Sequence, residues 1–163
     1  MSRYKYPILR IDDRLIHGQV MLGWGIQLNL KLIILANDKA AGTPSLKNLY
    51  LSLIPPELDC KILSLKATAD YLKDRGKMGK TMIITADTSD AKVLLDSNTN
   101  IKQLIIGGIH HKEGCREVLP YVYVDDNMIK ELKSISDRGV EVLCQDLPGG
   151  KIYEFSKLIK TYS

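Results

Sequence analysis

The 163-residue sequence has no apolar run near the roughly 18 residues that a membrane-spanning helix needs. Runs such as Leu32–Ala36 stop after about one strand's length, so no transmembrane segment is expected. The opening MSRYKYPILRIDDR is basic but lacks an apolar block of roughly 7–15 residues, so a secretory signal is not expected there. Cysteine is scarce. Cys60, Cys115 and Cys144 are odd in number, widely spaced and form no CxxC pair, which argues against a disulfide framework and a structural zinc site. Each is expected in or beside a strand as a small buried residue, and a reducing cytoplasm suits them. With one Phe, one Trp and no basic run, a nucleic-acid partner is not expected. Neither sign of charge dominates: 23 Lys and Arg face 19 Asp and Glu, a net +4. The scattered lysines read as a solvated mixed surface, with a patch for an acidic protein or a phosphate group as the sharper alternative. There is no GxxxxGK[ST] loop for nucleotide phosphates.

What is present is ordinary for a folded soluble chain: 45% hydrophobic and 26% charged residues, which excludes wholesale disorder. The length suits one domain, 1–163, with a full core. Short β-rich runs alternate with helix-spaced segments. Strands are expected at 7–11, 31–36, 60–65, 80–85, 103–106 and 140–144, with a short one around 118–124 in the otherwise loop-like stretch 110–123. Helices are expected at 18–28, with Val20, Trp24 and Leu28 on one face, and at 45–54, stopped by Pro55 and Pro56. Others are expected at 66–75, closed by Gly76, at 88–96, from Asp125 and Asp126 to Gly139, and at 152–159. This β-then-α rhythm predicts an α/β fold of three layers, α/β/α, around a mostly parallel, doubly wound sheet of about six to seven strands. Such sheets bind ligands outside the carboxyl ends of their strands, which singles out the loops 12–18, 37–42, 86–88 and 107–111.

The sharpest feature is RIDDRLIHGQV, residues 10–20, between the first strand and first helix. His17 stands before Gly18 at the expected helix start, where free N–H groups attract anions and glycine permits close approach. The positive helix end disfavours an imidazolium, which leaves His17 neutral and nucleophilic near neutral pH. Arg14 offers a planar fork of donors suited to a phosphoryl group. Together they match what phosphoryl transfer onto histidine requires. A histidine before a helix also serves as a cap or a satisfied buried group, and the residues alone leave both readings open.

RIDDRLIHGQV followed by Trp24 resembles the active-site signature of the mannose/fructose/sorbose-family enzyme IIB proteins of the bacterial phosphotransferase system (PTS). The likeness extends to LAND ending at Asp38, to Pro55-Pro56, to Gly107-Gly108 and to VYVDDNMIKELKSISDRGVEV. The resemblance implies that His17 is the phosphohistidine, charged on Nδ1 by phosphohistidine of a IIA partner. It implies onward transfer to a sugar handled by membrane IIC and IID partners. Arg14 would stabilise the phosphate, cradled by the backbone of Leu15, Ile16 and Gly18. Asp12 and Asp13, poor phosphate ligands, would brace the loop by accepting backbone N–H bonds or by pairing with Arg10 or Arg14. Asp38, Gly107, Gly108 and His110 would form a rim.

Exchange between two phosphohistidines is nearly balanced in energy, so no ATP, cofactor or metal is expected. The implied location is cytoplasmic, at the inner membrane face beside IIC and IID. The alternative is a regulatory module on the same fold, switched by phosphorylation of His17. The sequence departs from the family pattern after Gly107-Gly108, where Ile109-His110-His111-Lys112 replaces the polar or aromatic stretch with a basic residue that relatives often carry. His110 and His111 read as a solvated loop or the mouth of the site, and without further spaced ligands they are a weak metal signal. Gly23-Trp24-Gly25 lacks the third glycine of a dinucleotide fingerprint, Trp24 reads as core, and Asp87 and Asp90 read as helix-start residues. Ser45, Ser64 and Ser89 lack a nucleophile-elbow context.

Overall fold

Alternation along the strands builds two apolar cores, one on each face of a sheet. The computed structural model describes residues 3–18, 20–74, 78–97 and 99–160. Its strands are β1 Ile8–Asp12, β2 Leu32–Ala36, β3 Asp59–Leu63, β4 Thr81–Thr85, β5 Gln103–Gly108, β6 Arg116–Leu119, β7 Val122–Val124, β8 Glu141–Cys144 and β9 Tyr153–Glu154. The helices are α1 Asp38–Gly42, α2 Pro44–Ser52, α3 Leu65–Lys73, α4 Thr88–Asp96, α5 Asp126–Asp137 and α6 Phe155–Ile159, with a π-helix at Val20–Ile26. Seven strands form one sheet in the order β3-β2-β4-β1-β5-β8-β9, parallel throughout except for β9. The α/β expectation with six to seven strands holds.

Leu9, Ile11, Ile34, Ile83, Leu104 and Ile106 face one core with Leu94 of α4, Leu132 of α5 and Phe155 of α6. Ile8, Ile33, Leu35, Met82, Ile84 and Ile105 face the other with Val20, Met21 and Trp24 of the π-helix. Covering both faces is what makes these strands continuously apolar. Helix starts are pinned by side chains that accept amides of the first turn: Asn37 from Ala40, Ser64 from Ala67, Asp87 from Asp90 and Asp125 from Met128. Gly139, at φ +88°, ends α5 in the left-handed conformation expected of it.

β1 lies between β4 and β5, and the chain leaves it toward the π-helix face. β4 and β5 lead to α4 and α5 on the opposite face. Diverging exits open a crevice at the carboxyl end of β1, and residues 12–18 begin there.

Four expectations need correction. The stretch 110–123 holds an antiparallel hairpin of β6 and β7 rather than a loop and one strand. Pro120 and Tyr121 turn the chain inside what reads as one apolar run. Residues 152–159 are not all helical: Tyr153 and Glu154 pair with Cys144 and Leu143 before α6 begins, so sheet pairing overrides local periodicity. The loop 37–42 contains α1, too short to show a period. The first helix is a π-helix, since spacing by four residues cannot tell an i→i+4 from an i→i+5 ladder. Its Gly23 and Gly25 permit close packing: a Cβ would lie 2.8 Å from Leu147 Cδ2 and 3.2 Å from Leu58 Cδ2 respectively. The expected stop at Gly76 lies outside the described residues.

Candidate functional site

Arg10 and Asp12 share the parity of Ile8 along β1, which aims both side chains at the π-helix face. Arg10 is fully buried, so its guanidinium needs partners inside the protein. Nη1 donates to the Gln145 carbonyl at 3.2 Å, and Nη2 donates to the Asp146 carbonyl at 3.1 Å and to Asp12 Oδ2 at 3.2 Å. The Trp24 ring lies 4.9 Å from its Cζ, and Trp24 Nε1 donates to the same Asp146 carbonyl. Burial pulls the Arg10 pKa down to about 10 and Asp12 opposes the fall, so the group stays cationic at neutral pH. Space for it comes from Gly107, where a Cβ would stand 2.0 Å from Arg10 Cζ. The β1–β5 register slips here, Ile11 facing Ile106 and Asp12 facing Gly108, which leaves Gly107 as the bulged residue.

Asp12 is the hub. Fully buried, it accepts from Arg10 Nη2, from the Arg14 backbone N–H at 3.1 Å, from Arg14 Nε at 3.0 Å and Nη2 at 3.1 Å, and from His17 Nε2 at 2.9 Å. Burial alone would raise its pKa, but the bonds from His17 and Arg14 and the charge of Arg10 outweigh this and hold the carboxyl well below the usual range. A carboxylate only accepts, so in the neutral ring the His17 proton sits on Nε2 and Nδ1 carries the lone pair. Among the described residues nothing bonds His17 Nδ1.

The loop that returns both side chains to Asp12 is tight. Leu15 N–H donates to the Asp12 carbonyl at 2.9 Å, and Leu15 adopts φ +61°, a left-handed conformation that costs about 1 kcal/mol. The Leu15 amide is therefore engaged, which corrects its expected place in a phosphate cradle. The amides of Ile16 and His17 meet no protein acceptor among the described residues. At Gly18 a Cβ would meet nothing within 4 Å, so that side is open. The Ile16 side chain is buried in the π-helix core.

Asp12 braces Arg10 and Arg14 as expected, and its direct bond to His17 is what the sequence reading missed. Asp13 accepts from His110 rather than from an arginine. At Gly108 a Cβ would come within 3.2 Å of both Arg14 Nη2 and Asp12 Oδ1, so this glycine borders the cluster. Among the described residues Asp38 makes no hydrogen bond to Asp12, Arg14 or His17. It accepts the Leu65 N–H at 2.8 Å, and its charge adds to burial and Asp87 in pushing the Asp90 carboxyl up to about 6. His111 packs edge-on against Tyr123. The cysteines are free, and burial pushes the Cys60 and Cys144 thiols up to about 11 and about 12, which leaves them unreactive. Gln145 and Asp146 also belong to the cluster, brought there by β8 pairing with β5.

The family model described as PTS system sorbose subfamily IIB component matches residues 6–163. The N-acetylgalactosamine-specific phosphotransferase enzyme IIB component 1 of Escherichia coli strain K12 is 27% identical over 143 residues, 87% of this chain and 90% of that protein. The PTS system mannose-specific EIIAB component of the same strain is 29% identical over 136 residues, 83% of this chain, and the chain spans 42% of that relative's length. The IIBSor domain of the sorbose permease from Klebsiella pneumoniae shares the fold, with a TM-score of 0.87 at 23% identity over 96% of each chain.

Proposed function

Because this chain belongs to the sorbose subfamily of PTS enzyme IIB components, we propose that His17 is its phosphoryl acceptor and that the attacking atom is Nδ1. The chain is a phosphocarrier in sugar uptake of the mannose/sorbose family, a protein-phosphohistidine–sugar phosphotransferase. The bond from His17 Nε2 to the buried Asp12 carboxylate carries the proposal, because it presents Nδ1 as the nucleophilic edge of the ring.

The donor is phosphohistidine on a IIA protein. The Nδ1 lone pair of His17 forms the new N–P bond while the donor's N–P bond breaks, its electron pair returning to the donor imidazole. Positive charge that develops on the His17 ring is offset by Asp12 through Nε2. Arg14, a third exposed and aligned by its two side-chain bonds to Asp12, offsets phosphoryl charge from the other side. The amides of Ile16 and His17 supply donors, with Gly18 leaving room. In onward transfer a hydroxyl oxygen of the sugar held by IIC and IID forms the new O–P bond and gives up its proton. The N–P bond of His17 breaks meanwhile, its electron pair returning to the ring. No step draws on ATP or a metal.

No helix among the described residues is long and apolar enough to cross a membrane. The proposal puts the chain in the cytoplasm, held at the membrane face by its IIC and IID partners. The test is phosphorylation from phosphoenolpyruvate through the general PTS proteins and a IIA of this family. The expected result is an acid-labile phosphate that is discharged to sugar when membranes bearing IIC and IID are added. Absence of uptake from its own, demonstrably phosphorylated IIA would contradict the proposal.

A further inference from the structure

We infer that His110 is a positioning residue for phosphoryl transfer, acting through Asp13 on the loop that carries Arg14 and His17; this rests on His17 being the acceptor. The His110 backbone N–H donates to Asp13 Oδ2 at 2.7 Å, and its ring Nδ1 lies 2.6 Å from Asp13 Oδ1. One residue at the exit of β5 thus holds both oxygens of a residue at the exit of β1. The Asp13 N–H donates to the Gly108 carbonyl at 3.1 Å, so its backbone is tied to the same exit. That exit is itself anchored. Ile109, buried, donates its N–H to the Tyr121 carbonyl and accepts the Tyr123 N–H, which hooks it to β7 and the turn before it.

The need for such a tie follows from charge. Asp13 is one residue from Arg14 and about 3.8 Å, one Cα step, from Asp12. A carboxylate loose at that position would compete with Asp12 for the Arg14 guanidinium. It would also present a second negative charge to an incoming phosphoryl group, where like charges repel. His110 turns both oxygens toward β5 and removes both effects. The histidine ring is 65% exposed against 18% for Asp13, so screening leaves the pair little weight in stability. Its effect is on where the Asp13 charge points.

The test is single-turnover phosphoryl transfer from a phosphorylated IIA of this family, at varied IIA concentration. His110→Ala should melt within about 2 °C of wild type. Its saturating transfer rate should fall about tenfold, as expected for a small misplacement of reacting groups, with the half-saturating IIA concentration unchanged. His110→Asn retains a side-chain N–H near the position of ring Nδ1 and should recover most of that loss. Adding Asp13→Asn to His110→Ala should also restore rate. The backbone N–H of residue 110 still holds one oxygen, and the charge on the oxygen that the ring no longer fixes is gone. A wild-type rate in His110→Ala would overturn the inference. So would a loss seen only as a raised half-saturating concentration, which would make His110 a docking contact instead. His17→Ala run in parallel separates the premise: if it still accepts phosphate, the acceptor assignment fails whatever His110 does.

Discussion

His17→Ala is expected to take up no phosphate from phosphorylated IIA while keeping its fold. The ring supplies the attacking atom, and neither remaining histidine bonds Asp12, the carboxylate that also aligns Arg14. His110 is held by Asp13, and His111 packs against Tyr123. The structural cost is modest because Asp12 retains its bonds to Arg10 and Arg14 when the imidazole is removed. Losing one hydrogen bond at a partly exposed ring costs about 1–2 kcal/mol, which urea unfolding would register without loss of cooperativity. Intact mass after incubation with phosphorylated IIA reads the chemistry. Phosphate recovered on His110 or His111 of the variant would move the acceptor elsewhere.

Asp12→Asn is expected to damage both chemistry and stability. An asparagine amide can donate to His17 Nε2, which would shift the ring proton to Nδ1 and remove the lone pair from the attacking edge. Exchanging a carboxylate that holds a catalytic imidazole for an amide has cost about ten-thousandfold in another enzyme, and a loss of about a thousandfold is expected here. The stability loss comes from Arg10. Its guanidinium is fully buried, and its Nε already meets no acceptor among the described residues. Without the Asp12 charge it keeps its carbonyl partners and only the longer-range charge of the Asp146 carboxylate, a cost of about 3 kcal/mol.

The pH dependence of that loss has a definite sign. Folding lowers the Asp12 pKa, so the unfolded chain takes up the proton more readily than the folded one. The stabilisation is complete above the unfolded value of about 3.9 and is lost as pH falls below it toward the depressed folded value. The advantage of wild type over Asp12→Asn should therefore be constant near neutrality and shrink below about pH 4. Urea midpoints of the two proteins across that range measure it.

The parts legible in the sequence were those governed by short-range periodicity and caps. Apolar alternation located the central strands, and the expected helix 88–96 coincides with α4 because Asp87 marks its start unambiguously. Parts that depend on tertiary pairing were hidden. β9 is two residues whose partners lie in β8. The π-helix relies on glycines packed against Leu147 and Leu58, and α1 is too short to have a period.

The site divides in the same way. The loop residues Asp12, Arg14 and His17 stand close in sequence, and the structure brings all three into one hydrogen-bonded cluster. The Asp12–His17 bond was within reach of parity: Asp12 falls on the same face of β1 as Arg10, toward which the following helix must fold. Gln145 and Asp146 carried no such signal, because only the pairing of β8 with β5 brings them to Arg10. Gly107 reads in the sequence as a rim residue. Its place in the fold is steric, beneath a buried arginine whose burial no local pattern announced.

The most direct test of the account is the position of the phosphate on the His17 ring. Proton–nitrogen correlation spectra of the phosphorylated, ¹⁵N-labelled protein separate Nδ1- from Nε2-phosphohistidine. If Asp12 holds Nε2–H in solution, the phosphate resides on Nδ1 and the Nε2 proton remains hydrogen-bonded to a carboxylate. Phosphate on Nε2 would mean that the Asp12 bond does not set the reacting edge, and the account of the site would fail at its centre.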